Sequence, residues 1–462
     1  KIIMFKSTKK IHFVGIGGIG MSGIAEILLK QGFEVSGSDM SSSQNTDYLI
    51  SKGAVIYIGH SAENIKDAEV VVYSSAVNIV DNPETTYARE HKIPLIRRAE
   101  MLAEVSRLNY SIGVAGTHGK TTTTSMLSLI LIEAGIDPTV IVGGRLSDLG
   151  GTNARLGSGE WTVLEADEFD RSFLQLTPTI SVINNIESEH LDVYRDVEDI
   201  ESTFSEFANK VPFYGFVSLG LDDNGVKNIL PKLNKKFVTF GFNRNCDFRG
   251  ETPVYHNREA SCEVYEFGKK LGSIKIRIPG EYNLKNALAS TSVARMMGID
   301  FNTIQTALEK FSGVFRRFED KGYYHGVRII DDYAHHPSEV KACLKGARDS
   351  FDNRIVCLFQ PHTYTRTRDQ YLEFAKSFDE ADEIIITDVY PARELPIEGV
   401  TGKLIADSAI QFGHKNVHYV SDNSMIEDVV KSKLKEGDIL ITMGAGNIWK
   451  IGENLIKQSG DL

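Results

Sequence analysis

The sequence predicts an α/β protein built from three domains with mostly parallel sheets. Its 462 residues allow about three domains at roughly 150 residues each. Short β-branched runs alternate with amphipathic helical stretches, which is the pattern of βαβ units. The pattern restarts near residue 108 and again near residue 321. We therefore expect domains at 1–107, 108–320 and 321–462.

The predicted strands are apolar runs that end at turns or at polar clusters. In the first domain they are 11–14, 33–36 and 70–73, with a helix over 21–31 that Gly32 ends. In the central domain they are 111–114, 162–164 and 180–183, followed by a β-rich insertion within 217–278. In the third domain they are 327–330, 355–359, 383–386 and 439–442.

Composition narrows the classes of function. Hydrophobic residues make up 42% and charged residues 24%, values typical of a globular protein. A net charge of −11 disfavours binding of nucleic acid or an anionic membrane surface and favours small ligands. The four cysteines form no CxxC spacing, which indicates reduced thiols and not a zinc site. No apolar run approaches the roughly 20 residues of a membrane helix, so we expect a cytoplasmic protein without membrane insertion.

The first motif is the glycine-rich segment 15–20, which matches GxGxxG between a predicted strand and a predicted helix. Such glycines let a diphosphate approach the backbone at a helix N-terminus. Asp39 ends the second strand, where an acid that binds a ribose would lie. The motif indicates a nucleotide diphosphate, with NAD and hence a dehydrogenase as the usual interpretation. A plain tight turn is the alternative.

The second motif is the segment 116–122, Gly-Thr-His-Gly-Lys-Thr-Thr, again between a strand and a helix. It is a shortened P-loop, since position 114 is Val and the strict GxxxxGK[ST] spacing is not met. Its amide groups can still cradle phosphates, Lys120 can reach the β and γ oxygens, and Thr121 can ligate Mg²⁺. The middle domain is therefore predicted to resemble a P-loop ATPase, and the outer two to be Rossmann-like.

Carboxylates follow two strands of the central domain, where a sheet that binds ATP would hold magnesium. At least one ligand is expected from each of two clusters. The clusters are Glu165, Asp167, Glu168 and Asp170, and Glu187, Glu189, His190 and Asp192.

Two loops of the third domain, 331–337 and 360–368, are rich in His, Tyr and Arg. Such side chains can hold a carboxylate and leave an amine free to react. Arg316 and Arg317 precede them at the domain junction. They are candidates for contacts with a transferring phosphoryl group, and equally for salt bridges between domains.

Taken in order, nine strings make the chain resemble the Mur ligases of peptidoglycan synthesis. They are HFVGIGGIGMSGIAE, SGSD, GTHGKTTTTSM, LEADEFD, NNIESEHLD, GEYNLKNALA, FSGVFRRFE, DDYAHHPSE and FQPHTYTRTRDQ. The resemblance implies ATP and Mg²⁺ as cofactors and UDP-N-acetylmuramate and L-alanine as substrates. It also implies a monomer or weak homodimer. The glycine-rich start favours this reaction over that of the ligases that recycle murein peptides.

The resemblance also assigns residues to each ligand. The sugar nucleotide would contact Gly17, Gly18, Ile19, Gly20, Asp39, Ser74 and Ser75. ATP would contact Gly116, Thr117, His118, Gly119, Lys120, Thr121, Thr122, Asn283, Asn286, Arg317 and Asp332, and magnesium would contact Thr121, Glu165 and His190. The amino acid would contact Tyr333, His335, His362 and Arg366. The implied catalytic set is Lys120, His190, Arg317, His335 and Arg366.

Two positions depart from the family pattern. Related ligases carry a carbamylated lysine just beyond the metal-binding histidine, but residues 202–208 contain no lysine. Tyr282 stands where a histidine is expected beside adenine, so the contact with adenine is expected to be aromatic.

Overall fold

The structure is a computed structural model that describes residues 8–74, 76–107, 109–146, 152–187, 193–256, 258–392 and 394–459. The chain divides into two compact units. The first holds the chain up to Glu251 together with Glu263–Ile274 and Lys285–Phe311. The second holds Thr252–Cys262, Lys275–Leu284 and the chain from Ser312 onward.

The first sheet has five parallel strands in the order β3-β2-β1-β4-β5. The chain crosses between them through α-helices, except between β3 and β4, where the connection contains a short 3-10 helix (Ala62–Ile65). The strands are β1 (Lys10–Val14), β2 (Glu34–Asp39), β3 (Val55–Ile58), β4 (Val70–Tyr73) and β5 (Leu95–Arg97). The helices are α1 (Ile19–Lys30), α2 (Gln44–Ser51), α3 (Pro83–Glu90) and α4 (Arg98–Ser106).

The second sheet has ten strands in the order β15-β14-β13-β12-β11-β10-β6-β9-β7-β8. The strands are β6 (Tyr110–Ala115), β7 (Thr139–Leu146), β8 (Thr152–Arg155), β9 (Trp161–Glu165), β10 (Ile180–Ile183), β11 (Phe216–Gly220), β12 (Phe237–Gly241), β13 (Phe248–His256), β14 (Glu259–Glu266) and β15 (Lys269–Ile276). The helices are α5 (Lys120–Glu133), α6 (Val197–Asn209), α7 (Asn224–Ile229), α8 (Glu281–Met296) and α9 (Phe301–Lys310). Strands β12 to β15 follow one another with no described helix between them, which is the predicted β-rich insertion.

The third sheet has six strands in the order β16-β17-β21-β18-β19-β20, and only the pair β16–β17 is antiparallel among its described pairs. The strands are β16 (Glu319–Tyr324), β17 (Val327–Asp332), β18 (Ile355–Phe359), β19 (Glu383–Thr387), β20 (Val417–Val420) and β21 (Ile439–Met443). The helices are α10 (Pro337–Ser350), α11 (Tyr364–Ala375), α12 (Gly402–Gln411), α13 (Ile426–Lys433) and α14 (Trp449–Ser459).

Central strands of the second and third sheets are buried on both faces, which explains their continuous apolar runs. Every residue of β10, β18 and β21 is buried. The predicted α/β class with mostly parallel sheets is confirmed. The four cysteines are buried and free. Within the described ranges, every helix is too short or too polar to cross a membrane.

Candidate functional site

The glycine-rich loop after β1 is closed by the end of β2. Gly15 N donates to Ser38 O at 2.8 Å, and Gly17 N donates to Asp39 Oδ2 at 2.8 Å. Gly15 has φ +84°, a left-handed conformation that glycine adopts without strain. The Asp39 carboxylate therefore fixes the shape of the loop. Its predicted contact with a ribose stays a prediction.

The start of α1 leaves amide groups available beyond this loop. Gly18 N donates to Gly15 O at 3.3 Å. The amides of Ile19 and Gly20, in contrast, have no partner among the described residues. Amides in the first turn of a helix lack intrahelical acceptors and bind anions well. Of the four loop residues predicted to meet a diphosphate, these two have the available donors.

A cleft in the first unit joins this loop to the central sheet. It is lined by Gly20 and Arg98 and, across the cleft, by Gly143, Glu165 and Asp167. Arg98 lies against the first turn of α1, because a Cβ built on Gly20 would be 2.6 Å from its Nη1. Arg98 is not predictable from the sequence alone, since no local pattern distinguishes it from its exposed neighbour Arg97.

The serines assigned to the sugar nucleotide follow β4. Ser74 N donates to Val14 O at 3.2 Å, and Ser74 Cβ lies 3.3 Å from a Cβ built on Gly15. The structure therefore places Ser74 beside the glycine-rich loop. Ser75 lies outside the described residues.

The phosphate loop after β6 is fastened to the residues that follow β10. Thr117 N donates to Asn185 O at 3.1 Å, and His118 N donates to Asn185 Oδ1 at 2.7 Å. Glu187 N donates to Thr117 Oγ1 at 2.9 Å. His118 itself is buried, with Nε2 3.4 Å from Glu187 Oε2. The amides of Thr117 and His118 are thus used within the protein.

The donors of this loop that have no partner among the described residues belong to the start of α5. They include the amides of Gly119, Thr121 and Thr122. Gly119, the N-cap, has φ +81°. The loop thus presents a helix N-terminus to an anion, as the sequence predicts for residues 116–122.

Lys120 is held by a buried carboxylate. Its Nζ lies 2.9 and 2.7 Å from the two carboxylate oxygens of Glu168 and 2.7 Å from Gly116 O. The side chains of Lys120 and Glu168 are only 16% and 4% exposed. The ammonium group therefore lies over the phosphate loop, within reach of a phosphate bound at the start of α5.

Glu165 and Thr121 offer hard oxygen ligands next to this lysine. Burial raises the pKa of the Glu165 carboxyl, and the neighbouring Gly143 amide, Thr121 hydroxyl and Lys120 charge oppose this shift. Glu165 Oε1 is buried with no hydrogen-bond partner among the described residues. A buried carboxylate oxygen that lacks a donor, beside a hydroxyl, fits a magnesium ion. His190, the third predicted ligand, lies outside the described residues.

The two asparagines of α8 have different surroundings. Asn286 Oδ1 accepts from Thr123 Oγ1 at 3.1 Å, and a Cβ on Gly119 would lie 2.4 Å from Asn286 Oδ1. Asn286 therefore supports the phosphate loop. Asn283 donates to Pro279 O at 2.6 Å. The predicted contacts of both with adenine stay predictions.

In the second unit, the paired arginines have different roles. The Arg316 guanidinium donates to Asp331 Oδ2 at 2.8 Å and to Gly444 O at 2.6 Å, and it lies over the Tyr333 ring at 5.0 Å. Arg317 lies over the same ring at 5.3 Å, with Nη1 3.6 Å from Glu339 Oε1. Arg316 is fixed within its own unit, so Arg317 is the better candidate for a phosphate contact.

Asp332 ends β17 and joins two backbone segments. Its Oδ2 accepts from Phe318 N and its Oδ1 from Ala334 N, both at 2.7 Å. Burial raises the pKa of Asp332 to about 6, although the charge of Arg317 opposes the shift. This carboxylate holds the Arg317 segment against β17. Its predicted contact with the ATP ribose stays a prediction.

The structure brings the side chains predicted for the amino acid together. The His335 ring lies 5.1 Å from Tyr333 and 5.8 Å from His362, and His335 Nδ1 is 2.9 Å from Tyr333 O. Burial, with smaller effects of His335 and Arg366, lowers the pKa of His362 to about 3. His362 Nδ1 is buried and has no hydrogen-bond partner in the described part of the chain. A neutral imidazole thus lies among aromatic and cationic side chains.

The fold and the loop after β6 define an α/β protein with a phosphate-binding loop of the Gly-Lys-Thr type. Three family models match the chain in order. They are the Mur ligase family catalytic domain over residues 10–110, the Mur ligase middle domain over 114–294, and the Mur ligase glutamate ligase domain over 316–446. The chain belongs to the Mur ligase family.

Curated relatives and solved structures agree with this membership. The chain is 50% identical over 461 residues to the UDP-N-acetylmuramate–L-alanine ligase of Geotalea uraniireducens, covering 99% of this chain and 100% of that protein. It is 48% identical to the ligase of the same name from Salinibacter ruber, covering 97% and 94%. The crystal structure of the UDP-N-acetylmuramate–alanine ligase MurC from Thermotoga maritima matches with a TM-score of 0.83 at 31% identity, covering 98% and 99%.

Proposed function

We propose that this protein is an ATP-dependent ligase that joins L-alanine to the lactyl carboxylate of UDP-N-acetylmuramate, releasing ADP and phosphate. The observation that carries this proposal is the cleft that runs from the glycine-rich loop to Glu165, beside the phosphate loop of the same unit. A sugar nucleotide bound at the first loop would extend its far end along this cleft toward the γ-phosphate of ATP. The curated relatives that carry this activity in their names span nearly the whole chain.

The phosphate loop beside the cleft fits the first of the two steps of such a reaction. A carboxylate is a poor acyl donor, so it first attacks the γ-phosphate in line and forms an acyl phosphate and ADP. Lys120 would neutralise the charge that develops on the transferring group, together with the amides at the start of α5. The amine of L-alanine then attacks the acyl carbon. The bond between this carbon and the phosphate oxygen breaks, and phosphate leaves.

Magnesium fits the residues that the structure describes near Lys120. Thr121 and Glu165 would hold the ion, and His190 is the ligand that the resemblance adds. When bound, the ion would neutralise phosphate charge. The protein's own contribution is the buried carboxylate oxygen of Glu165, which lacks a hydrogen-bond donor among the described residues.

The second unit would supply the remaining contacts. We propose that Tyr333, His335, His362 and Arg366 hold the amino acid, while Arg317 and Asp332 bind the nucleotide. The neutral His362 supports this assignment, because a buried imidazole whose Nδ1 has no hydrogen-bond partner among the described residues can accept a hydrogen bond from an ammonium group. Asn283 and Asn286 complete the proposed ATP contacts.

The proposal includes the organisation of the chain. The three family matches support domains at 1–107, 108–320 and 321–462. We further propose that the enzyme acts in the cytoplasm, where UDP-sugars and ATP are present, as a monomer or weak homodimer.

A direct assay tests the function. The full chain is incubated with ATP, Mg²⁺ and UDP-N-acetylmuramate, and each amino acid is added in turn while phosphate release is followed. We expect phosphate release to require the sugar nucleotide and to be fastest with L-alanine, with the amide product identified by mass spectrometry. Phosphate release without the sugar nucleotide, or no amide product, would overturn the proposal. Binding of NAD(H) in a fluorescence titration would instead support a dehydrogenase.

A further inference from the structure

Arg98 lies in an unusual electrostatic position within the first unit. It is the first residue of α4, and its guanidinium contacts the first turn of α1 at Gly20. Helix N-termini carry a partial positive charge, and the Arg98 guanidinium lies beside the N-terminus of α1. Arg98 forms no ion pair or hydrogen bond with any residue that the structure describes. A cation in such surroundings is stabilised by an anion.

The donors next to Arg98 define where that anion would lie. The amides of Ile19 and Gly20 have no partner among the described residues, and a Cβ on Gly20 would be 2.6 Å from Arg98 Nη1. The guanidinium therefore lies beside the helix N-terminus that carries these amides. Both belong to the cleft that also contains Glu165. A planar guanidinium pairs with two oxygens of a phosphate at once.

We propose that Arg98 binds the diphosphate of the sugar nucleotide, together with the amides of Ile19 and Gly20. This inference rests on the proposed function and names the side chain that supplies the positive charge at its sugar-nucleotide site. The glycine-rich loop itself contains no charged residue. Arg98 is consequently the residue that makes the first loop selective for an anionic ligand over a neutral nucleoside.

The test compares Arg98→Gln and Arg98→Lys with Arg97→Gln as the matched control. Arg97 is the neighbouring arginine, 60% exposed, with Nη1 3.6 Å from Asp170 Oδ2, and it does not line the cleft. Affinities for UDP and for UDP-N-acetylmuramate are measured by calorimetry. We expect Arg98→Gln to weaken both about 10- to 100-fold, the range for a charge-assisted hydrogen bond. Arg98→Lys is expected to be intermediate, and Arg97→Gln to stay within about twofold of the unmodified protein.

Unchanged UDP affinity in Arg98→Gln would overturn the inference. A loss confined to UDP-N-acetylmuramate would also overturn it, because it would place Arg98 at the lactyl carboxylate. Since Arg98→Gln is not expected to alter the KM for ATP, a raised KM would indicate a general disturbance of the unit and contradict the assignment. Amide formation by the unmodified protein is measured alongside, so that failure of the proposed function is recognised separately.

Discussion

The loops after β1 and β6 share one local construction but obtain their positive charge differently. Each joins a parallel strand to a helix and contains a glycine with φ above +80°. The loop after β6 contains its own cation, Lys120, which is paired with Glu168. The loop after β1 has none, and the cation beside it, Arg98, belongs to α4. A glycine motif therefore specifies backbone shape, whereas the charge that selects the ligand can come from a distant segment.

The largest effect is expected from removing the cation that the second loop contains. Lys120→Ala should lower the rate of ADP release by roughly 1,000-fold, because a charge on the transferring phosphoryl group is no longer neutralised. It should also lower the free energy of unfolding by roughly 3 kcal/mol, since Glu168 is left buried without its ammonium partner. A coupled ADP assay and urea unfolding measure the two effects.

The double variant Lys120→Ala/Glu168→Ala separates them. Removing the carboxylate as well should restore most of the lost stability and none of the activity. If Lys120→Ala retained activity within about tenfold, Lys120 would not be a phosphate ligand. If the double variant stayed as unstable as the single one, the ion pair would not be the cause of the lost stability.

A smaller effect is expected from the glycine that shapes the second loop. Gly119→Ala places a Cβ at φ +81° and 2.4 Å from Asn286 Oδ1. Gly135→Ala is the matched control, because Gly135 has φ +73° but no atom within 4 Å of its Cβ. Both should lose about 1 kcal/mol of stability from the left-handed backbone. Only Gly119→Ala should raise the KM for ATP, by about tenfold. An equal KM for both variants would mean that contact with Asn286 does not position the loop.

Buried strands carry a strong local pattern in the sequence, whereas an exposed edge strand does not. Strands β4, β10 and β18 were predicted with their observed bounds, because they are apolar runs that turn signals enclose. The edge strand β3 was not predicted. Its four residues Val55–Ile58 are apolar but exposed or half-exposed, and no polar alternation marks them as a strand.

The same limit applies to the site. Lys120 was predicted because Gly119, Lys120 and Thr121 are contiguous. Asn185 was not given a role, although its carboxamide fixes the phosphate loop at His118, 67 positions earlier. Arg98 was missed for the same reason. Contacts between segments that are far apart in the sequence depend on how the strands are ordered, and that order is visible only in the fold.

A third loop, which follows β18, differs from both glycine-rich loops because its titratable side chain, His362, is buried and neutral. Burial lowers the pKa of His362 to about 3, below the ordinary 6.5. Protonation therefore favours the unfolded chain, and the stability that neutral His362 contributes is complete above pH 6.5 and is lost as the pH falls toward 3. The free energy of unfolding should fall between pH 7 and pH 4 by at least about 1 kcal/mol more in the unmodified protein than in His362→Gln.

Asp332 provides the opposite sign in the same unit. Its pKa is raised to about 6 from 3.8, so its ionisation destabilises the fold as the pH rises through this interval. The free energy of unfolding of the unmodified protein, relative to that of Asp332→Asn, should therefore rise as the pH falls from 7 to 4.

The His362 prediction would be contradicted if the free energy of unfolding had the same pH dependence in the unmodified protein and in His362→Gln, because a buried neutral imidazole requires a difference.

The smallest effect is expected at the loop after β1. Two glycine variants there separate the contribution of the backbone amides to ligand affinity from that of the Arg98 side chain. A Cβ on Gly20 would displace the Arg98 guanidinium, whereas a Cβ on Gly18 would have no atom closer than 3.5 Å. Gly20→Ala should weaken binding of UDP-N-acetylmuramate three- to tenfold, about 1 kcal/mol, and Gly18→Ala less than about twofold. If Gly20→Ala acts through Arg98, it should add nothing to Arg98→Gln. Additive losses would instead mean that the new methyl group blocks the Ile19 and Gly20 amides directly, so that the backbone alone sets the affinity of this loop.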